Sequence, residues 1–81
     1  MRLDKYLKVS RLIKRRTIAN EACDEDCIMV NGRQAKASYQ VKVGDIIELN
    51  LGRRMLKVEV VSIEDNVSKA DASAMYKEIA E

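Results

Sequence analysis

The chain changes its hydrophobic period partway along, and that change limits the fold more than any other feature. Leu3, Tyr6, Leu7, Val9 and Ile13 fall on one arc of a 3.6-residue wheel, the mark of an amphipathic helix. From Leu56 to Val60 the pattern alternates instead, with Leu56, Val58 and Val60 on one side and Lys57 and Glu59 on the other, as in a half-buried strand. A second helix is predicted from about Arg15 to Asp24, burying Ile18, Ala19, Ala22 and Cys23. Asp26 follows it, where glycine or asparagine would be the usual cap.

The stretch "CIMVNGRQA" reads as a hairpin, because Asn31-Gly32 suits the positive backbone angles of a type I′ turn. "VKVGDIIELNL" predicts a turn at Gly44-Asp45 and a strand to about Leu51, with Gly52-Arg53 leading into the alternating strand. Ser68 stands three residues before Asp71, an approximate capping box. It predicts a carboxyl-terminal helix that docks Ala72, Met75, Tyr76 and Ile79 on the sheet. The expected order is α-α-β-β-β-β-α, an α+β domain with a small antiparallel sheet. Eighty-one residues without proline, and with only three glycines, fit one small domain over 1–81 better than a linker or a disordered segment.

The net charge of +2 hides a strong asymmetry. Residues 1–16 carry Arg2, Lys5, Lys8, Arg11, Lys14, Arg15 and Arg16 against one acid, Asp4, for a local charge of +6. Residues 17–36 and 37–81 each sum to −2. Lys14, Arg15 and Arg16 crowd the expected start of the second helix, where the macrodipole favours anions. A sequence selected only for helix stability would avoid that arrangement, so the basic end is expected to meet a polyanion. Two packed helices would place Arg2, Lys5, Lys8 and Arg11 on one rim and Arg15 and Arg16 on the other. Arginine prominence favours phosphate, which its planar fork grips with two hydrogen bonds. The hairpin, with Arg33 or Lys36, would extend such a footprint.

Other chemistries find little support. The chain has no histidine, no phosphate-cradling glycine loop and no serine or cysteine beside a plausible base, so no catalytic residue is expected. Cys23 and Cys27 lack a second pair or histidines for a zinc site, and are read as reduced thiols. Three consecutive acids at 24–26 point in different directions and read as a solvated helix end rather than a metal site. No metal or cofactor is expected. No apolar run approaches a membrane span or a signal peptide, which implies a cytoplasmic protein without a membrane partner.

"RLDKYLKVSRLIKRRTIANEA" followed by "IMVNGRQAKAS" and "VKVGD" resembles the S-four RNA-binding domain, over about residues 1–51. The resemblance implies an S-four-like (alpha-L) fold in which two amino-terminal helices and the following hairpin form the RNA-binding surface. Residues 52–81 would be a strand and helix extension. A short chain with "SRLIKRR" and "QAKAS" is most similar to the bacterial RqcP (YabO) group. That similarity implies binding to the large ribosomal subunit and its rRNA, and to tRNA or peptidyl-tRNA. It also implies cooperation with an RqcH-type, NEMF-related factor in alanine tailing of stalled nascent chains. No small-molecule substrate is implied. The related heat-shock proteins imply an alternative, recycling of large subunits that carry stranded tRNA, without a role in tailing. The matching RNA-contact positions are Arg2, Lys5, Lys8, Ser10, Arg11, Lys14, Arg15, Arg16, Asn31 and Lys36. Asp4, being acidic, is expected to orient a neighbouring arginine such as Arg16. Catalytic relatives that carry this module need further domains for which 81 residues leave no room.

Overall fold

The structure, a computed structural model, describes residues 1–25, 27–50, 52, 55–64 and 72–79. Two helices, α1 (Leu3–Val9) and α2 (Arg16–Asp24), precede strands β1 (Ile28–Val30), β2 (Arg33–Gln34), β3 (Ile46–Asn50) and β4 (Met55–Val60). A 3-10 turn (Ser73–Met75) then leads into β5 (Tyr76–Glu78). The five strands form one antiparallel sheet in the order β2-β1-β3-β4-β5. The helices cover one face. Leu3, Tyr6 and Leu7 of α1 and Ala19 and Cys23 of α2 join Ile28, Val30, Ile47, Leu49, Val58 and Val60 in the core. Small residues on α2 let it lie close to α1, as the sequence implied.

Backbone hydrogen bonds explain why α1 starts where it does. Its N-cap, Arg2, makes no side-chain cap. The Leu3 N–H instead donates to the Tyr39 carbonyl at 2.8 Å, and the Asp4 N–H to the Ala37 carbonyl at 3.2 Å. The chain at 37–41 therefore satisfies donors that a helix start leaves open. Val41 N–H completes the pairing by donating to the Met1 carbonyl at 2.8 Å. The Asn31-Gly32 turn has φ of 54° and 80°, both positive as a type I′ hairpin requires.

Two expectations change. The residues expected in a carboxyl-terminal helix form a 3-10 turn and β5 over 73–78. Pairing Val58 with Glu78 and Val60 with Tyr76 fills the open hydrogen bonds along β4, which a docked helix would leave unpaired. Of the same apolar residues, Ala72 and Met75 are almost fully buried, and Tyr76 and Ile79 are half-buried. Ile18, expected in the core, is 47% exposed, because α2 docks through Ala19 and Cys23 and turns Ile18 outward. The expected stop at Asp26, the Arg53 connection and the Ser68–Asp71 capping box lie outside the described residues.

A buried hydrogen bond ties the far end of the chain to α1. The Tyr6 hydroxyl donates to the Met75 carbonyl at 2.8 Å, and burial, with Tyr76 nearby, raises its pKa. Met75 also accepts from the N–H groups of Val61 at 2.8 Å and Ser62 at 3.0 Å, so it would not be orphaned without Tyr6. Tyr6→Phe should therefore cost only the net hydrogen bond, about 1 kcal/mol. Urea unfolding checks this as a lowered midpoint with an unchanged m-value.

Candidate nucleic-acid interface

The basic segment splits between a helix end, a turn and a helix start. Helix α1 ends at Val9, and Ser10 is its C-cap. Arg11 follows in the left-handed region, φ 63°, where glycine is the common occupant, and its N–H donates to the Lys8 carbonyl at 3.1 Å. The Ile13 N–H reaches back to the Leu7 carbonyl at 3.0 Å while its side chain is buried, so the turn is pinned from inside. Lys14 and Arg15 are exposed ahead of α2, which begins at Arg16 with Arg15 as an extended, side-chain-uncapped N-cap. The expected conflict with the macrodipole therefore narrows to Arg16 within the helix, with Lys14 and Arg15 presented by the turn.

Asp4 organises this surface. It is 2% exposed, and two donors reach each of its oxygens. Oδ1 accepts from Arg2 Nε at 3.2 Å and from the Lys5 N–H at 2.8 Å. Oδ2 accepts from Arg16 Nε at 3.4 Å and from Asn20 Nδ2 at 3.3 Å. Burial alone would raise the Asp4 pKa, but Asn20, the Lys5 N–H, Arg2 and the Arg16 charge outweigh it and hold the carboxyl below 3.8. Both arginines remain about half exposed. Each meets Asp4 through Nε, and no other hydrogen bond among the described residues engages its terminal nitrogens. Arg2 of one expected rim and Arg16 of the other therefore both meet the Asp4 carboxylate. Asp4 and Lys8 stand four apart on α1 but form no ion pair among the described residues, because the carboxylate turns to α2 instead. Burial first, then the Asp4 and Asp24 charges, push the Cys23 thiol up to about 11. Cys23 and Cys27 are free thiols.

The other expected contacts divide. Lys8 is exposed on α1, Lys5 is half-buried, and Lys36 is exposed. Lys36 lies one residue before Ala37, whose carbonyl receives the Asp4 N–H, so it sits at the same end of α1 as Arg2. Ser10 departs from its expected place, being 1% exposed with its hydroxyl donating to the Leu7 carbonyl at 3.4 Å. Asn31 is occupied internally. Its Nδ2 donates to Asp45 Oδ1 at 3.1 Å, and its Oδ1 accepts from the Ile46 N–H at 2.9 Å. Asp45 also accepts from the Tyr39 hydroxyl at 2.9 Å and the Lys42 N–H at 3.0 Å. Burial opposes its ionisation, yet the Lys42 N–H, Asn31, Tyr39 and the Lys42 charge hold its pKa below 3.8. Asn31 thus fixes the hairpin. Sequence reasoning missed Asn20 and the left-handed Arg11, since neither breaks the helical pattern of its segment.

Both depressed carboxyls stabilise the fold above the ordinary aspartate value of 3.8, and that contribution is lost as pH falls through their lower folded values. Asp4→Asn should lower stability at pH 7 by about 1–3 kcal/mol, since it replaces a fully hydrogen-bonded buried charge. It should also flatten the decline below pH 4, as read from urea unfolding across pH 2–7. Arg11→Gly should raise stability by about 0.5–1 kcal/mol, because glycine relieves the left-handed backbone but loses more entropy on folding. A thermal melt no higher than wild type would show that Arg11 stores no strain.

Comparison with known proteins places the chain in a family. The S4 domain model matches residues 1–47, which hold both helices, the hairpin and Asp45. The chain is 52% identical over 81 residues to the RQC P-site tRNA stabilizing factor of Streptococcus pneumoniae, covering all of this chain and 92% of that protein. It is 51% identical over 76 residues to the factor of the same name from Bacillus subtilis, covering 94% of this chain and 88% of the relative. Heat shock protein 15 of Vibrio cholerae, solved as a trimer, superposes with a TM-score of 0.91 at 31% identity, covering 99% of this chain and 82% of that one. The chain belongs to the S4 domain family, in the group of the RQC P-site tRNA stabilizing factors.

Proposed function

We propose that the chain is a non-enzymatic RNA-binding factor of ribosome-associated quality control. It docks on large-subunit rRNA and on P-site tRNA or peptidyl-tRNA, and supports alanine tailing of stalled nascent chains together with an RqcH-type factor. The observation that carries this reading is the buried Asp4 carboxylate, which holds Arg2 and Arg16 by Nε while both side chains stay about half exposed. Planar forks held at one end are suited to phosphate oxygens. Lys8, Arg11, Lys14 and Arg15 extend the same surface, and Lys36 flanks it. The uncapped start of α2 adds backbone donors that suit an anion. The names of the relatives from Streptococcus pneumoniae and Bacillus subtilis, P-site tRNA stabilizing factors, favour tRNA as one of the two RNA partners. Structured RNA shows such a surface its backbone and shape rather than readable base edges, so recognition follows RNA geometry more than sequence. Ser10 is buried, and the exposed Asn31 spends its amide on Asp45 and the Ile46 N–H, so this reading does not rest on either.

A second reading, recycling of large subunits that hold stranded tRNA, draws on the close superposition with heat shock protein 15. Gradient co-sedimentation should show tighter binding to large subunits that carry peptidyl-tRNA than to empty ones, and equal binding to small subunits would overturn the proposal. In a reconstituted tailing reaction the chain should raise alanine addition, whereas subunit binding with no effect on tailing would favour the recycling reading. With about six phosphates neutralised, affinity should fall with salt at a log–log slope on the order of −4 to −5. Arg16→Ala should make that slope shallower by about 1 while changing stability by about 1 kcal/mol or less, because the ion pair is half exposed.

A further inference from the structure

Asn20 sits one helical turn after Arg16 on α2, and both side chains reach the same atom, Asp4 Oδ2, at 3.3 and 3.4 Å. Asp4, Arg16, Thr17, Asn20 and Glu21 together line a shallow depression on the surface. A carboxylate offers roughly two acceptor sites on each oxygen, and at Asp4 all of them are taken. Oδ1 is fixed by a backbone N–H from Lys5 and by Arg2. Oδ2 has no backbone donor, so of its two partners only Asn20 is a short, uncharged side chain with little freedom of its own. Without Asn20, Oδ2 would keep Arg16 as its single partner, the carboxylate would be held less tightly about its Cβ–Cγ bond by the Oδ1 donors alone, and Arg16 would move with it.

We propose that Asn20 is a positioning residue for RNA binding. It fixes the plane of the Asp4 carboxylate and thereby the place of the Arg16 fork. Its chemistry suits that role. A neutral amide fills the last acceptor site without adding a cation that would compete for the carboxylate, and it leaves the cluster of Arg2, Arg16 and Asp4 with a net positive charge for phosphate. A carboxylate at position 20 would set two negative groups side by side and draw Arg16 away from the RNA. The effect on RNA rests on the RNA-binding function proposed above, whereas the effect on Arg16 stands apart from it.

A double-mutant cycle and a measurement on the free protein test the two parts. Asn20→Ala should weaken binding to purified large subunits carrying peptidyl-tRNA by roughly threefold to tenfold, the scale of coupling between neighbouring residues. In an Arg16→Ala background the same change should cost almost nothing. An equal loss in both backgrounds would show that Asn20 acts independently of Arg16 and overturn the proposal, as would no loss in either. In the free protein, nitrogen-15 spectra of the arginine side chains should show the Arg16 Nε–Hε signal broadened or in faster solvent exchange in Asn20→Ala. An unchanged signal overturns the positioning role even if the wild-type chain binds no RNA, a result that would count against the proposed function alone. Asn20→Ser, polar but too short to reach Asp4, gives the same readouts should the alanine variant fold poorly.

Discussion

A carboxylate almost wholly removed from water must be neutralised where it lies, and the amino-terminal surface follows from how Asp4 meets that demand. Its position in the first turn of α1 is fixed by apolar neighbours Leu3, Tyr6 and Leu7, which drive that face of the helix into the core. Four donors then converge on it, two of them guanidinium groups from different elements. The packing of α2 on α1 is thus coupled to the placement of Arg2 and Arg16. Cations that oppose a helix dipole and sit half in solvent add little to folding. Under the proposed function, arginines held in one place by a buried anion would meet phosphate at a lower ordering cost.

The hairpin is built on the same plan with different parts. Asp45, buried beside the Gly44 turn, accepts from Asn31, Tyr39 and Lys42. It joins the type I′ turn to the chain at 37–41, and the carbonyls of Ala37 and Tyr39 in turn cap α1. One unbroken set of contacts therefore runs from the hairpin through the helix start to the arginines. Internal hydrogen bonds of Asn31 and Asp45 give the V-N-G and V-K-V-G-D motifs a structural role, and Lys36 lies beside this set. Across the sheet, away from the helices, the described charges are mixed in sign, with Glu48 facing Lys57 at 3.6 Å. The local charge of +6 belongs to residues 1–16, which hold α1 and the turn into α2.

Much of this was legible because it rests on local rules. The wheel of α1, the Asn31-Gly32 turn and the alternation of β4 each follow from spacing or backbone angle, and the structure keeps all three. A contact between Asp4 and a nearby arginine could also be anticipated, since an acid inside a basic surface invites a partner. What could not be read depends on tertiary pairing. The apolar residues from Ala72 to Ile79 fit a helix as well as a strand, and the free edge of β4 decides for the strand. Ile18 and Ala19 are adjacent on α2, and only the docking angle buries one and exposes the other. Ser10 and Asn31 have the polar character of contact residues, but internal acceptors and donors reach them first. Asn20 gives no signal in the sequence, because an asparagine within a helix is commonplace and its partner is sixteen residues away.

The central claim is that RNA is met by the face Asp4 organises. Nuclear magnetic resonance titration of the labelled protein with tRNA, followed at backbone amides and arginine Nε–Hε groups, tests it most directly. Shifts should concentrate on Arg2, Lys8, Arg11 to Arg16 and Lys36, and they should fade as salt is raised. Shifts gathered instead on the open face of the sheet, around Lys57 and Lys77, with the arginines of α1 and α2 unmoved, would contradict it.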